Sequence, residues 1–219
     1  MKIVINSHCA NTIAVNHLLD SMRILPEFPS YDVLVMVGGY YGNADYEVEK
    51  KENITYIKCN HNSIDFTGLI ALLDLYYDSD ERYIYLHDTC RVGAQFYHKI
   101  SALDQSITSG KIHTPWSMNM GLYTQGAINR SKDTLQTLKN KDEHLCPHFK
   151  EIGIVHEDIV FKKDPTHVVL DNYSGWVYTG PTDYYNTGTL RIVEYYPNLD
   201  VYKIKANWGA PGQVRELKL

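Results

Sequence analysis

The residues best suited to chemistry follow an apolar segment, Tyr83–Leu86, which ends at His87-Asp88-Thr89. Alternating β-branched and aromatic residues of this kind predict a buried strand. Because a charge is costly to bury without a partner or a metal, Asp88 is expected at the lip of a cleft beyond the carboxyl end of that strand. An aspartate in this position is equally typical of a residue that caps the following turn.

Asp88 is also a candidate metal ligand. Mg²⁺ and Mn²⁺ prefer oxygen ligands, and they bind one or two carboxylates while substrate phosphates complete the coordination shell. His87 or Thr89 would assist directly or through water. Asp88 is therefore a candidate ligand for Mn²⁺ or Mg²⁺, and a turn-capping aspartate is the equal alternative.

A second acidic pair, Glu157-Asp158, precedes the apolar residues Ile159-Val160-Phe161. Two adjacent carboxylates that enter an apolar turn are suited to supply a general base for a hydroxyl nucleophile. Acidic residues in the first turn of a helix also interact favourably with the helix dipole, so an ordinary helix start is the alternative interpretation.

Small and hydrogen-bonding residues follow three further predicted strands. They are Ser7-His8-Cys9, Gly38-Gly39-Tyr40-Tyr41 and the segment from Asn60 to Gly68. Such residues allow a base and a ribose to approach the backbone closely, and Asp65 and Thr67 lie where a pyrophosphate or uracil would bind. The Gly38-Gly39 pair is also typical of an ordinary turn. Neither GxGxxG nor GxxxxGK[ST] occurs, so a dinucleotide fingerprint and a P-loop are not supported.

Alternating strands and helices are predicted to position these residues. Strands are expected at Ile3–Ile5, Tyr31–Val37, Ile54–Lys58 and Tyr83–Leu86. Helices are expected from about Thr12 to Leu25, where Pro26 ends the pattern, and from Ile64 to Leu75. This alternation indicates βαβ units and a mostly parallel sheet, the α/β class.

The second half of the chain is less regular. Helices are predicted over Gln95–Ile107, Ser131–Leu138 and His148–Ile152, with a turn or short helix at Glu157–Lys162. Extended segments are predicted at Lys111–His113, Met120–Ile128, His167–Leu170 and Val201–Ile204. The rest of the tail from Asn172 is expected to form loops. Because no linker or repeat stands out, we predict one domain over residues 1–219, with a nucleotide-binding half at about 1–90 and an acceptor half at about 91–219.

Composition excludes several classes of protein. The formal net charge of −5 disfavours nonspecific binding to nucleic acid. No apolar run approaches the roughly 18 residues that span a bilayer. The four cysteines form no CxxC pair, which predicts reduced thiols rather than a zinc knuckle or disulfides. The 18 tyrosines suit polar ligands such as sugars and bases, and they suit half-buried strands equally. We expect a soluble, cytoplasmic protein with no nucleic-acid partner and no membrane span.

The order of these parts resembles a GT-A fold glycosyltransferase. The resemblance rests on Asn60–Gly68, on Tyr83–Thr89 and on the later Glu157-Asp158 pair, and it spans roughly Lys2 to Lys163. The small size and the lack of a membrane anchor are similar to the compact capsid-glycan glycosyltransferase domains of large algal viruses, for which the location would be the host cytoplasm. The resemblance implies a mixed sheet between helices with a Rossmann-like nucleotide half, a nucleotide-sugar donor, and usually Mn²⁺ or Mg²⁺.

The resemblance also implies roles for individual residues. The family's DxD motif, which holds the metal against the diphosphate, falls on His87-Asp88-Thr89, so only Asp88 carries over. The acidic base of the acceptor half maps onto Glu157-Asp158, with Asp158 preferred. The segment Met120–Ala127 is similar to the family's sugar- and acceptor-facing strand and turn. Lys203, Lys205, Asn207 and Trp208 would close over the diphosphate, although an exposed basic strand edge is the plainer explanation for the lysines.

The predicted function is transfer of a sugar from a nucleoside-diphosphate sugar, most simply a UDP-sugar, to an acceptor hydroxyl on a glycan or glycoprotein. A cation at Asp88, with Lys203 or Lys205, would stabilise the departing diphosphate. One alternative is a nucleotidyltransferase that makes nucleoside-diphosphate sugars, although the residues after the first strand lack the basic loop such enzymes use. The other is a non-catalytic carbohydrate-binding module, for which tyrosine-rich loops suffice.

Overall fold

An eight-stranded mixed β-sheet flanked by helices forms the larger part of the fold, which is of the α/β class. A computed structural model describes residues 1–10, 12–113, 119–179 and 190–206. The strands are β1 (Lys2–His8), β2 (Val33–Gly38), β3 (Tyr46–Lys51), β4 (Ile54–Cys59), β5 (Arg82–His87), β6 (Cys90–Val92), β7 (Ser109–His113), β8 (Gly121–Thr124), β9 (Val168–Asn172), β10 (Trp176–Thr179), β11 (Leu190–Tyr196) and β12 (Val201–Ala206). The α-helices are α1 (Ile13–Arg23), α2 (Thr67–Leu75), α3 (Phe96–Ser101), α4 (Gln125–Asn129), α5 (Lys132–Thr137), α6 (Cys146–Val155) and α7 (Ile159–Lys162).

The larger sheet has the strand order β3-β4-β2-β1-β5-β8-β7-β9. Strands β4, β2, β1 and β5 are mutually parallel, which confirms the predicted parallel core. The antiparallel strands β3 and β8 pair with its two ends, β4 and β5. The carboxyl ends of β1, β2 and β5 therefore meet at one edge of the sheet, which is where open α/β sheets bind ligands.

The sequences of the central strands are nearly continuously apolar because helices cover both faces of the sheet. Alternate residues belong to two separate cores. The core on the α1 side includes Ile3, Ile5, Val33, Val35, Leu18 and Leu19. The core on the α2 side includes Val4, Leu34, Met36, Leu69, Ile70 and Tyr85.

A second sheet of four antiparallel strands, in the order β10-β11-β12-β6, joins the tail of the chain to the segment after β5. The sequence predicted only an extended piece at Val201–Ile204, so the expectation of loops was wrong for β10 and β11. The pairing of β12 with β6 places Lys203 opposite Cys90, two residues beyond Asp88. This second sheet is how a distant part of the chain reaches the end of β5.

Three further differences from the predicted elements have local causes. The helix expected over Gln95–Ile107 ends at Ser101, and the Asp104 side chain then accepts a hydrogen bond from the Ser106 N–H, which forms a turn. The extended segment expected over Met120–Ile128 ends at Thr124, whose hydroxyl accepts from the Ala127 N–H and starts α4. The strand β3 was not predicted, because its sequence Tyr-Glu-Val-Glu-Lys-Lys is mostly charged, as suits a sheet edge.

Two predictions from composition can be compared with the fold. All four cysteines are free thiols, as predicted. None of the helices within the described ranges has the length and apolar character needed to cross a membrane.

Candidate functional site

A cavity of about 460 Å³ opens at the carboxyl ends of β1 and β5. Its walls come from β1, from the turn after β4, from the end of β5, from α6 and from β12. The lining residues are Asn6, Ser7, His8, Asn62, Ile64, Asp65, His87, Asp88, Thr89, Cys146 and Lys203. Six of the predicted site residues, Ser7, His8, Asp65, His87, Asp88 and Lys203, are therefore brought together. We call this space the main cavity.

Asp88 is half-buried in the main cavity and is held from two sides. Its backbone N–H donates to the Asn6 carbonyl at 3.0 Å, and the Ser7 hydroxyl donates to Oδ2 at 2.8 Å. Burial raises the pKa of Asp88 above its usual value, while the Ser7 hydrogen bond and the charge of Lys203 oppose that rise. The carboxylate is thus fixed in orientation at the point where β5 ends.

Lys203 is the cationic side chain of the main cavity, and it is only 7% exposed. Its ammonium donates to the Thr89 hydroxyl, and Nζ lies 3.1 Å from Nδ1 of His87. Because an ammonium group can only donate, Nδ1 must accept, which leaves the ring proton of a neutral His87 on Nε2. That nitrogen lies 3.7 Å from Oδ1 of Asp65. The two residues that flank Asp88 in sequence therefore both contact the lysine.

Asp65 is presented by a strained turn. Ile64 has φ +51°, which is unusual for a β-branched residue. Its N–H donates to Oδ1 of Asn62 at 3.0 Å, and its carbonyl accepts from Nδ2 of Asn6 at 2.9 Å. The Tyr85 hydroxyl donates to the Asp65 carbonyl at 2.8 Å. Strain of this kind is kept only where the surroundings hold it, and it is often found at functional sites.

A smaller cavity of about 150 Å³ adjoins the main cavity and shares Ile64 and Asp65 with it. Its other lining residues include Gly153, Ile154 and Glu157. Burial raises the pKa of Glu157 to about 7, and the negative charges of Asp65 and Asp158 add to the rise. A carboxyl group that titrates near neutral pH is suited to take up and release protons.

Asp158, the preferred base in the sequence analysis, is oriented differently from Glu157. It has a left-handed backbone with φ +63°, and its N–H donates to Oδ1 of Asn119 at 3.0 Å. Its Oδ2 lies 3.3 Å from Nζ of Lys111, and Asp158 does not line either cavity. Its role as the base stays a prediction, and the geometry favours Glu157.

A third cavity, of about 220 Å³, shares Ser7 and His8 with the main cavity. The side chains of Tyr40 and Tyr56 form part of its wall, together with Lys58. Nζ of Lys58 lies 5.4 Å from the centre of the Tyr40 ring. Burial lowers the pKa of His8, with the charge of Asp88 opposing, so His8 at the junction favours its neutral form.

Three predicted site residues make packing, hydrogen-bond or ion-pair contacts within the protein instead. A side chain at Gly38 would come within 3.1 Å of the His61 carbonyl and of the Thr67 methyl group. Thr67 is 1% exposed, and its hydroxyl accepts from the Ser63 N–H at 2.9 Å. Lys205 forms an ion pair of 2.6 Å with the buried Glu194. None of the three lines the main cavity.

Asn207 and Trp208, which were also predicted to close over the diphosphate, lie outside the described residues. The segment Met120–Ala127, expected to face the sugar and the acceptor, carries core side chains at Met120, Leu122 and Tyr123, each at most 1% exposed. The ring of Tyr123 stacks on Phe161 with 4.6 Å between centroids.

Asn6, Asn62 and Cys146 also line the main cavity and were not predicted as site residues. Asn6 had a readable signal, because an amide inside the otherwise apolar strand β1 needs buried hydrogen-bond partners. Asn62 was inside a segment singled out for other residues, and its side chain donates to Sγ of Cys146 at 2.9 Å. Nothing in the local sequence links Cys146 to β1.

The residues at Asp88 fit a dedicated Mg²⁺ or Mn²⁺ site poorly. Within the described ranges, no group of three or more His, Cys, Asp or Glu side chains is arranged to hold a metal ion. The predicted helper ligands, Nδ1 of His87 and the Thr89 hydroxyl, both contact the ammonium of Lys203. A divalent cation at this point would lie beside an existing positive charge. A metal at Asp88 stays a prediction.

Comparison with known proteins assigns no family. The sequence matches no protein-family model, and no curated protein matches it significantly. The evidence that bears on function is therefore the geometry of the three cavities.

Proposed function

We propose that this protein is a glycosyltransferase, which moves a sugar from a nucleoside-diphosphate sugar to a hydroxyl group of a glycan or glycoprotein. The observation that carries the proposal is the main cavity, where a buried lysine and an oriented aspartate meet at the carboxyl ends of parallel strands. Lysine suits a diphosphate, and a carboxylate suits the hydroxyl groups of a sugar or ribose.

The two adjoining cavities support the same assignment, because each suits one end of the reaction. The third cavity carries tyrosine rings next to Ser7 and His8, and aromatic faces suit a planar base such as uracil. The smaller cavity carries Glu157 and suits the acceptor hydroxyl. A UDP-sugar would then extend from the tyrosine-lined cavity through the main cavity towards Glu157.

The proposed step breaks the bond between the anomeric carbon and the diphosphate oxygen, which keeps the electron pair. The acceptor oxygen forms the new bond to the anomeric carbon, and its proton passes to Glu157. Lys203 faces the negative charge that develops on the diphosphate, and such prearranged charges often contribute most to rate enhancement. Asp88 accepts a hydrogen bond from a donor hydroxyl and orients the sugar.

A panel of nucleotide sugars tests the proposal with the full chain. A ligand that binds the native state raises the unfolding midpoint by mass action, so we expect UDP-sugars to raise it and to release UDP when an acceptor glycan is added. Asp88→Asn should weaken the midpoint shift, whereas Asp78→Asn, at an exposed aspartate outside the cavities, should leave it unchanged.

Other outcomes would identify a different function. Binding of glycans without turnover of any nucleotide sugar would indicate a carbohydrate-binding module. Formation of a UDP-sugar from UTP and a sugar phosphate would indicate a nucleotidyltransferase. If no nucleotide sugar shifts the midpoint or is consumed, the proposal is wrong.

A further inference from the structure

We infer that Lys203 is the cation that stabilises the departing diphosphate, so that sugar transfer proceeds without a divalent metal ion. This inference rests on the proposed glycosyltransferase function and adds that Lys203 supplies the positive charge without a metal ion. It differs from the expectation drawn from the sequence, in which a metal at Asp88 had that role.

The position of the ammonium group supports this inference. Lys203 lines the main cavity together with Asp88, although 93% of its surface is covered. A lysine is rarely buried to this extent unless its charge has partners, because removing the charge from water is costly. Here the partners are the Thr89 hydroxyl and Nδ1 of His87, both neutral acceptors. The ammonium is therefore held in place by neutral groups, and its charge acts on Asp88 without a direct ion pair among the described contacts.

The contrast with Lys205 shows that this arrangement is specific. Both lysines lie on β12, two residues apart, so they point to the same face of the strand. Lys205 is neutralised by the buried carboxylate of Glu194 at 2.6 Å, outside the main cavity. Lys203 instead has neutral hydrogen-bond partners and borders the cavity. An anionic ligand is the chemical class that its charge would attract.

The two groups that accept hydrogen bonds from Lys203 are themselves held in place. Thr89 and His87 flank Asp88 at the end of β5, so the same backbone segment that orients the carboxylate also orients the ammonium. His87 accepts from the lysine through Nδ1, and its other ring nitrogen lies 3.7 Å from Asp65. A positive charge fixed in this way needs no reorganisation when the negative charge of the leaving group develops.

A metal ion and Lys203 would compete for space and ligands. A divalent ion shared by Asp88 and a diphosphate would have to lie near the atoms that Lys203 already contacts. The repulsion between two cations is larger in the lower dielectric of a protein than in bulk solvent. The ammonium and the metal are therefore alternatives at this position. The ammonium is always present, because it belongs to the chain itself.

The test measures UDP release from a UDP-sugar by the full chain, with a chelator and with added Mn²⁺. We expect the rate in chelator to be within about twofold of the rate in Mn²⁺, because a tethered charge of this kind takes the place of the ion. Lys203→Met should lower kcat by roughly 10²–10³-fold, as when one prearranged group at a developing charge is removed. The matched control is Lys132→Met on the exposed surface of α5, which should keep the wild-type rate.

A second variant covers the case in which Lys203→Met does not fold. Thr89→Val removes one acceptor for the ammonium and leaves the lysine in place, so it should lower kcat more modestly, by about tenfold, with little change in the KM for the donor. A purely structural role for Thr89 would instead lower the stability without a selective effect on kcat.

The outcomes separate this inference from the proposed function. Turnover that disappears in chelator and returns with Mn²⁺ would overturn the inference and leave the glycosyltransferase assignment intact. A folded Lys203→Met variant with wild-type kcat would also overturn it. If the wild-type protein consumes no nucleotide sugar under either condition, the proposed function and the inference fail together.

Discussion

The strained turn at Ile64 gives a prediction whose magnitude follows from the structure. Asn6 holds this turn through two hydrogen bonds of 2.9 Å, one from Nδ2 to the Ile64 carbonyl and one from the Gly68 N–H to Oδ1. Asn6→Ala leaves both backbone groups without these partners. Each buried polar group left unpaired costs about 1–3 kcal/mol, so the direct cost is about 2–6 kcal/mol.

Relaxation of the turn reduces that cost. A residue such as Ile64 in a sparsely populated backbone conformation stores about 1–3 kcal/mol, part of which is released when the turn loses its support. We therefore expect Asn6→Ala to lower the free energy of unfolding by about 2–4 kcal/mol, a large part of the 5–15 kcal/mol typical of a domain. Because Asp65 moves with the turn, affinity for the proposed nucleotide-sugar donor should fall as well.

Urea unfolding at constant slope measures the change in stability, and calorimetry measures donor affinity. Asn53→Ala is the matched control, because Asn53 also makes two hydrogen bonds to backbone carbonyls, at 2.8 and 2.9 Å, and lines none of the three cavities. It should lower stability and leave donor affinity unchanged. In an Ile64→Gly background, where the backbone is unstrained, Asn6→Ala should have a different cost, since the strain can no longer be released.

Two results would refute this reasoning. A loss of less than about 0.5 kcal/mol for Asn6→Ala would mean that the two hydrogen bonds do not support the turn. An identical loss with Ile64 and with glycine at position 64 would mean that no strain is stored there.

Two carboxyl groups give predictions on pH. The pKa of Glu157 is raised to about 7, so its contribution to stability is present below its ordinary pKa of 4.5 and is lost as the pH rises through 7. Relative to wild type, Glu157→Gln should therefore gain stability between about pH 5 and about pH 8 in urea unfolding. Turnover by the wild type should rise with pH over the same interval, because Glu157 must be ionised to accept a proton. A difference in stability that does not change with pH would contradict this prediction. Burial raises the pKa of Asp164, but hydrogen bonds from Ser109, Thr166 and Thr108 outweigh burial and hold that pKa well below its ordinary value. Its contribution is present above the unfolded pKa and is lost as the pH falls through the folded pKa, so Asp164→Asn should cost about 2–4 kcal/mol at neutral pH and progressively less in acid, as read from unfolding midpoints.

The parallel half of the fold could be predicted because its signals are local. Nearly continuous apolar runs gave β1, β2 and β5, and helical spacing followed by Pro26 gave α1. The position of Asp88 at the end of β5 could be predicted for the same reason, since a carboxylate that follows a buried strand is costly to bury and is expected near a cleft. These inferences needed only neighbouring residues.

The second sheet could not be predicted, because its pattern depends on pairing across the chain. Strand β11 carries Glu194 in a buried position, where it pairs with Lys205 and accepts a hydrogen bond from the Tyr196 hydroxyl at 2.9 Å. A buried ion pair makes a core strand look like a polar loop. The difference between Lys203 and Lys205 is also invisible locally, because it depends on the register of β12 against β6 and β11.

That register also decides when, during folding, Lys203 comes to lie near Asp88. A slip of one residue along β6 would reverse which side chains of β12 point towards the main cavity, and the aromatic ring of Tyr202 or the aliphatic Ile204 would replace the ammonium. Acid and cation become neighbours only after the last described strand has docked in one alignment. A chain in which only the parallel strands had formed would thus still lack the lysine beside Asp88.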